Sequence, residues 1–141
     1  MPYAITRWFG MALLDSLGTK LQTAGVATLG TNLWLSQIQD SPDASVVLME
    51  EQGNVDHVFG ASTAGMFRHS VLAVARGARN DYPAARTLIE NVRNTLGAIR
   101  NETISGVTFL SVLDATGIYP ADRDGRERPL LACEFTCWVL P

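Results

Sequence analysis

Residues that carry chemistry are scarce in this chain. Among 141 residues there are two cysteines and two histidines. Active sites need a nucleophile, a base and an orienting group, and no motif in the sequence brings such a set together. Gly60 and Gly65 have the spacing of the glycines in a phosphate-binding loop, but Met66 and Phe67 stand where that loop requires Lys and Ser or Thr. We therefore predict no catalytic residue, no enzymatic activity and no cofactor.

The two cysteines, Cys133 and Cys137, are four residues apart in a predicted strand. At this spacing they lie on one face about 13 Å apart, too far to form a disulfide or to share a zinc ion. They are predicted to be buried free thiols. The acidic residues around His57 could hold a divalent cation, but an acidic loop facing solvent is the favoured interpretation, and no metal site is predicted.

Lysine and long apolar runs are also scarce. Lys20 is the only lysine, and the net charge is −3 with a pI near 5.2. Sequence-independent DNA binding depends on a basic surface, so this charge disfavours it. The apolar run from Trp8 to Leu14 is ended by Asp15, and helical amphipathicity explains it better than a signal peptide does. No run approaches the length of a membrane span, so we expect no membrane association and a cytoplasmic location until assembly.

The charges are unevenly distributed along the chain. Residues 36–60 include five acidic residues and no Lys or Arg, whereas residues 66–100 include six arginines and two acidic residues. Two interpretations stay open. The charges cover two solvated surfaces, or an acidic patch of one molecule meets a basic patch of the next. A head-to-tail contact of the second kind closes into a ring when the rotation between neighbours allows it.

Hydrophobic periodicity predicts helices from Tyr3 to Ala24 and from Tyr82 to Ile99, the second with Asp81 as its N-cap. The predicted strands are Thr31–Ile38, Ser45–Met49, Met66–Arg76, Val107–Leu113 and Leu130–Leu140. The first two strands are predicted to pair as a hairpin, and the stretch from Asp114 to Pro129 is predicted to be a polar connection. This order indicates an α+β fold with one mixed, mostly antiparallel sheet of about five strands and two helices packed on one face. We expect a single domain spanning residues 1–141.

The segment from Glu51 to Gly65 has no regular pattern and is rich in glycine and small residues. It is long for a loop in a compact domain, and such loops are often functional or mobile. We expect residues 60–65 to be mobile in a free subunit and ordered only against a neighbour.

Several blocks of sequence form a pattern when they are taken in order. They are Gly30–Leu35, Asp40–Asp43, Val46–Glu50 with Gly53, Val71–Gly77, Tyr82–Ala85, and Asp124–Arg126 before the strand Leu130–Val139. In this order and spacing, the blocks resemble the tail-terminator and tail-completion (minor capsid) proteins of long-tailed bacteriophages. The segment between Gly53 and Met66 has no match in that pattern.

The resemblance implies a structural virion protein that forms a ring, typically a hexamer, which ends the tail tube and joins it to the head side. The implied partners are further copies of this chain, the tail tube protein and the head-side connector protein, while DNA passes through the lumen without specific binding. The implied location is the tail or neck of the virion after assembly in the host cytoplasm. Candidate residues of the assembly interface are Arg68, Arg76, Arg79, Asp40, Asp43, Glu50, Glu51 and Arg126. For Arg76 and the Arg126 loop, a role as structural anchors and a role as ordinary surface arginines also stay open.

Two other functions stay open. A connector or stopper on the head side of the phage neck would share the size and the ring geometry. A small cytoplasmic enzyme or ligand-binding domain would need a pocket with convergent polar groups, which the sequence leaves undecided.

Overall fold

A computed structural model describes residues 9–51, 54–56 and 66–140, which contain two helices and one sheet of eight strands. The helices are α1 (Phe9–Thr23) and α2 (Tyr82–Leu96). The strands are β1 (Leu33–Leu35), β2 (Ser45–Glu50), β3 (Asn54–Asp56), β4 (Met66–Arg76), β5 (Arg100–Ile104), β6 (Val107–Asp114), β7 (Tyr119–Arg123) and β8 (Pro129–Val139). The predicted α+β class is confirmed, with more strands than the five expected.

The sheet is built around β8. Its strand order is β1-β2-β4-β8-β6-β5, with β3 also pairing with β4 and β7 also pairing with β8. Strand β8 pairs along its length with β4, from Arg76 opposite Leu130 to Phe67 opposite Val139. Its other edge is shared, because β7 pairs with the first half of β8 and β6 with the second half. All these ladders are antiparallel except β1 with β2, so the sheet is mixed and mostly antiparallel.

The predicted hairpin between the first two strands is wrong. Strands β1 and β2 pair in parallel, with Leu33 opposite Val46 and Leu35 opposite Leu48. Parallel pairing needs a connection that carries the chain back to the starting end of the first strand. Because β1 has only three residues and spans about 7 Å, the short loop of residues 36–44 can do this.

Both helices pack on the same side of the sheet. Helix α2 begins where the sequence predicts, with the Asp81 side chain accepting a hydrogen bond from the Ala84 N–H, which satisfies one of the free donors of the first turn. Its apolar stripe is buried, and so are the leucines of α1, which recur at helical spacing from Leu13 to Leu21. No helix in the described ranges has the length and hydropathy needed to cross a membrane.

The two faces of the sheet differ in what covers them. The main core lies between the helices and one face, and its sheet side chains include Val71, Phe109, Phe135 and Val139. The other face carries a second apolar cluster, to which neither described helix contributes. It has Val47, Val74 and Ala132 at its centre and the partly buried Trp34, Ile38, Met49, Leu72, Tyr119, Ala121 and Leu130 around them. We call this the open face.

The segment predicted to be irregular, from Glu51 to Gly65, begins with a short strand. Strand β3 extends the line of β2 along the edge of β4, with Asn54 opposite Arg68 and Asp56 opposite Met66. Residues 57–65, which include the residues 60–65 predicted to be mobile, lie outside the described residues, as does the predicted start of the first helix before Phe9.

Candidate assembly surface

A buried arginine at the end of β4 holds the loop between β1 and β2. Arg76 is 2% exposed. Its Nε donates a hydrogen bond to the Asp43 carbonyl oxygen at 2.8 Å. Its Nη2 donates to the carbonyl oxygens of Gln39 at 2.7 Å, Asp40 at 3.2 Å and Pro42 at 2.7 Å. A guanidinium presents five donors in a rigid fork, so this one side chain binds four of the five backbone oxygens of residues 39–43.

A second buried arginine, Arg128, holds the same loop from the turn before β8. Arg128 is 4% exposed. Its Nη1 donates to the Asp40 carbonyl oxygen at 2.7 Å and to Asp43 Oδ1 at 3.0 Å. Its Nη2 donates to Asp40 Oδ1 at 2.8 Å, and its Nε to Asp124 Oδ2 at 2.7 Å. Every nitrogen of the guanidinium therefore has at least one oxygen partner, as a buried charge requires.

Asp124 fixes the turn that carries Arg128. Its Oδ1 accepts hydrogen bonds from the backbone N–H groups of Arg126 at 2.9 Å and Arg128 at 3.0 Å, which is a typical role of Asp in turns. Burial alone would raise the pKa of Asp124, but these N–H groups and the Arg128 guanidinium outweigh it and lower the pKa. Burial likewise opposes the charge of Arg128, but its three carboxylate partners outweigh it and raise the pKa.

We call this group of five residues the arginine clamp: Arg76, Arg128, Asp40, Asp43 and Asp124. Arg126 joins its outer edge through an exposed ion pair with Asp40 at 3.1 Å. Four of the predicted interface residues, Asp40, Asp43, Arg76 and Arg126, thus lie together. Three carboxylates meet three guanidinium groups here, so the charges of these four predicted interface residues have partners within the subunit.

Sequence reasoning did not single out Arg128, which makes most of the clamp's ion pairs. A usable signal lies in the turn Asp124-Gly125-Arg126-Glu127-Arg128, where an Asp precedes a Gly and an Arg follows four residues later. Such an Asp favours a turn closed by its own side chain. The sequence does not reveal that this turn lies against residues 39–43, because the two segments are more than 80 residues apart.

Two more predicted interface residues, Glu50 and Arg68, lie toward the other end of β4. Glu50 Oε1 is 3.3 Å from Nδ1 of His69, on the side of the sheet that the helices cover. The Arg68 guanidinium carbon lies 5.5 Å from the ring centroid of Trp138 on β8, a cation–π distance. Neither residue belongs to the arginine clamp.

Glu51 and Glu134 come close to each other across β4: the Glu51 N–H donates a hydrogen bond to the Ser70 carbonyl oxygen at 2.7 Å, and Leu72, which belongs to the open face, lies opposite Glu134. Burial and the neighbouring Glu134 of β8, in that order, raise the pKa of Glu51. Burial, followed by Glu134 and Glu51, also raises the pKa of Tyr119. Within the described residues, no salt bridge links either glutamate to a cation. We call Glu51 and Glu134 the carboxyl pair.

Arg79 stands apart from the other predicted interface residues. It is exposed, in the turn between β4 and α2. Its neighbour Asn80 has a φ of 64°, a left-handed conformation that Asn tolerates better than most residues. Tyr82, the first residue of α2, is 49% exposed. We call Arg79 and Tyr82 the exposed corner.

A groove of about 370 Å³ crosses the open face near the arginine clamp. Its walls include Ile38, Met49, Val74, Ala121 and Leu130. Further along the same face, Leu113 is 43% exposed and lies opposite Thr136 of β8. The open face therefore presents apolar surface to its surroundings in the part of the chain that the structure describes.

The two cysteines lie buried in β8. Cys133 and Cys137 are buried free thiols, as predicted. Burial, with a smaller effect of Glu50, raises the pKa of Cys137 to about 12, so it is not a ready nucleophile at neutral pH. No group of three or more metal-ligating side chains occurs in ranges 9–51, 54–56 and 66–140. His57 lies outside them.

The described residues form a two-layer fold, with two helices on one face of a mixed sheet, and solved structures share this fold. A chain in the virion of a native gene transfer agent particle matches with a TM-score of 0.66 at 14% identity, over 94% of this chain and 97% of that chain. A second solved chain matches with a TM-score of 0.61 at 10% identity, over 94% of this chain and 96% of the other. At this identity the likeness is one of fold. No protein-family model matches the sequence, and no curated protein matches it.

Proposed function

We propose that this chain is a structural protein of a phage-like virion that assembles into a ring, ends a tail tube and joins it to the head-side connector. The observation that carries the virion part is the shared fold with a gene transfer agent virion chain, over nearly the whole length of both. The tail-terminator part is supported by the ordered blocks from Gly30 to Val139 that resemble that class of protein.

The surface of the subunit is consistent with a ring. Exposed apolar patches often mark interaction sites, and the open face offers such a patch. The acidic net charge of −3 suits a lumen through which DNA passes without being held, because binding to phosphates requires a basic surface. In this proposal the ring is a hexamer in the tail or neck of the virion, assembled in the host cytoplasm, and no catalytic step is involved.

Native mass spectrometry and negative-stain electron microscopy of the purified chain test the ring. We expect closed rings whose mass is a multiple of 15.3 kDa, or about 92 kDa for a hexamer. Tail tubes from the particle that carries this chain should bind the ring at one end and stop growing. A chain that stays monomeric at every concentration, also with tail tubes present, would refute the proposal. Binding to isolated heads but not to tails would instead assign the ring to the head-side connector.

A further inference from the structure

The exposed corner holds an unusual cation. Of the basic residues whose side chains the structure describes, Arg79 alone makes no hydrogen bond, ion pair or ring contact. The others all have partners: Lys20, Arg68, Arg76, Arg86, Arg93, Arg100, Arg123, Arg126 and Arg128. Tyr82, three residues later at the start of α2, is also exposed. Arginine and tyrosine are among the residue types enriched at the energetic centres of protein interfaces.

The carboxyl pair on the open face is a complementary feature. Two carboxyl groups side by side repel each other when both are ionised, and a cation between them removes that cost. Apolar side chains adjoin the pair, because Leu72 lies opposite Glu134 and Leu113 lies further along the same face. This arrangement of acidic and apolar groups matches the basic and aromatic groups of the exposed corner.

The two surfaces cannot meet within one subunit. The exposed corner belongs to the turn that leads from β4 to the helix layer, whereas the carboxyl pair lies on the side of the sheet away from the helices. A contact between them therefore joins two different patches of neighbouring molecules. Repeated contacts of this head-to-tail kind close into a ring when the rotation permits.

The edges of the sheet are poorly suited to join subunits. At one edge lie β1 and β3, which have three residues each. At the other edge lie β5, which contains Asn101 at a φ of 48° and has mostly exposed, polar side chains, and β7, which contains a proline and two charged residues. Short, charged and irregular edge strands are the devices by which proteins prevent pairing between sheet edges. A contact between copies is therefore expected to use faces and corners.

We propose, on the basis of the ring proposed above, that the exposed corner of one subunit docks on the open face of a second copy, with Arg79 paired to Glu51 and Glu134. In this contact Tyr82 lies on the apolar surface near Leu113. Each subunit contributes its exposed corner to one neighbour and its open face to the other, so the contact is heterologous.

Charge reversal and charge exchange test this contact. Arg79→Glu should raise the concentration needed for ring formation at least about tenfold, since it places a third acid at the pair. The same loss is expected for Glu134→Arg. The double variant with both changes carries the same three charges in exchanged places and should recover assembly at least in part. Lys20→Glu, an equal charge change on α1, where the side chain pairs with Glu102 of β5 and belongs to neither surface, should assemble as the wild type does.

Circular dichroism of each variant shows whether it is folded, and Arg79→Glu should be, because the side chain has no partner in the monomer. If Arg79→Glu forms rings at the same concentration as the wild type, the proposed contact is wrong and the ring proposal is unaffected. Failure of the folded double variant to regain any assembly would also overturn it. A wild-type chain that never forms rings would overturn both proposals.

Discussion

Replacement of Arg128 by methionine should remove a large part of the stability of this subunit. The change keeps much of the aliphatic volume but deletes the donors that bind Asp40, Asp43 and Asp124. Breaking a buried ion pair by removal of one partner costs about 3–5 kcal/mol, mainly because the remaining group is left uncompensated. Asp40 and Asp43 are each 58% exposed, so water replaces part of what they lose, and we expect the lower end, about 3 kcal/mol.

The matched control is Arg126→Met, two residues earlier in the same turn. It deletes the same charge, but Arg126 is 69% exposed and its ion pair with Asp40 lies in solvent. Exposed pairs contribute about 0–1 kcal/mol. Urea unfolding followed by circular dichroism gives both values. For a domain of this size 3 kcal/mol corresponds to a fall of roughly 10 °C in the melting temperature. Equal losses in the two variants would show that burial of the Arg128 charge does not matter and would refute the reasoning.

Two further predictions concern the backbone and the acid response. A Cβ at Gly77 would lie 2.6 Å from a backbone oxygen, whereas a Cβ at Gly125 would have no atom within 4 Å. Gly77→Ala should therefore lower the free energy of unfolding in urea by about 1–3 kcal/mol, and Gly125→Ala should leave it almost unchanged. Equal effects of the two substitutions would contradict this. Because the pKa of Asp124 is lowered by folding, its contribution is present at neutral pH and is lost as the pH falls through the lowered value. The stability difference between the wild type and Asp124→Asn should accordingly shrink below about pH 4, and a difference that is constant or grows on acidification would oppose this assignment.

Strongly patterned elements of the fold could be predicted from the sequence. Strand β4 has the predicted bounds, Met66–Arg76, because its alternation is regular over eleven residues. Helix α2 combines an N-cap with a continuous apolar stripe. Strand β5 is not predictable from its sequence, because only Ile104 at its end is buried and it has no apolar alternation. Strand β7 lies in the predicted polar connection, because Tyr119 is followed by Pro120 and charged residues, but it pairs with β8.

The candidate site was predictable in its parts but not in its arrangement. The sequence indicated Asp40, Asp43 and Arg76 as charged residues of interest, and the structure brings them together. The partner of the two aspartates, Arg128, comes from a turn 85 to 88 residues further along the chain. How close this turn lies to the aspartates depends on the register in which β2, β4 and β8 pair. The numbers of acidic and basic residues along a chain do not reveal which charges meet in the folded subunit. For this reason the acidic and the basic segment suggested a contact between different molecules.

The central position of β8 has a consequence for the synthesis of the subunit. Within the described residues, strands β1–β4 and strands β5–β7 pair with each other only through β8, which is also the last of these strands to leave the ribosome. Until then β4 has a long unpaired edge, and a non-local pairing of this kind forms slowly. Completion of β8 joins the two groups of strands in one step, so a truncated nascent chain lacks a finished sheet and its open face. The order of strands in the sheet thus delays completion of the open face until β8 has been made.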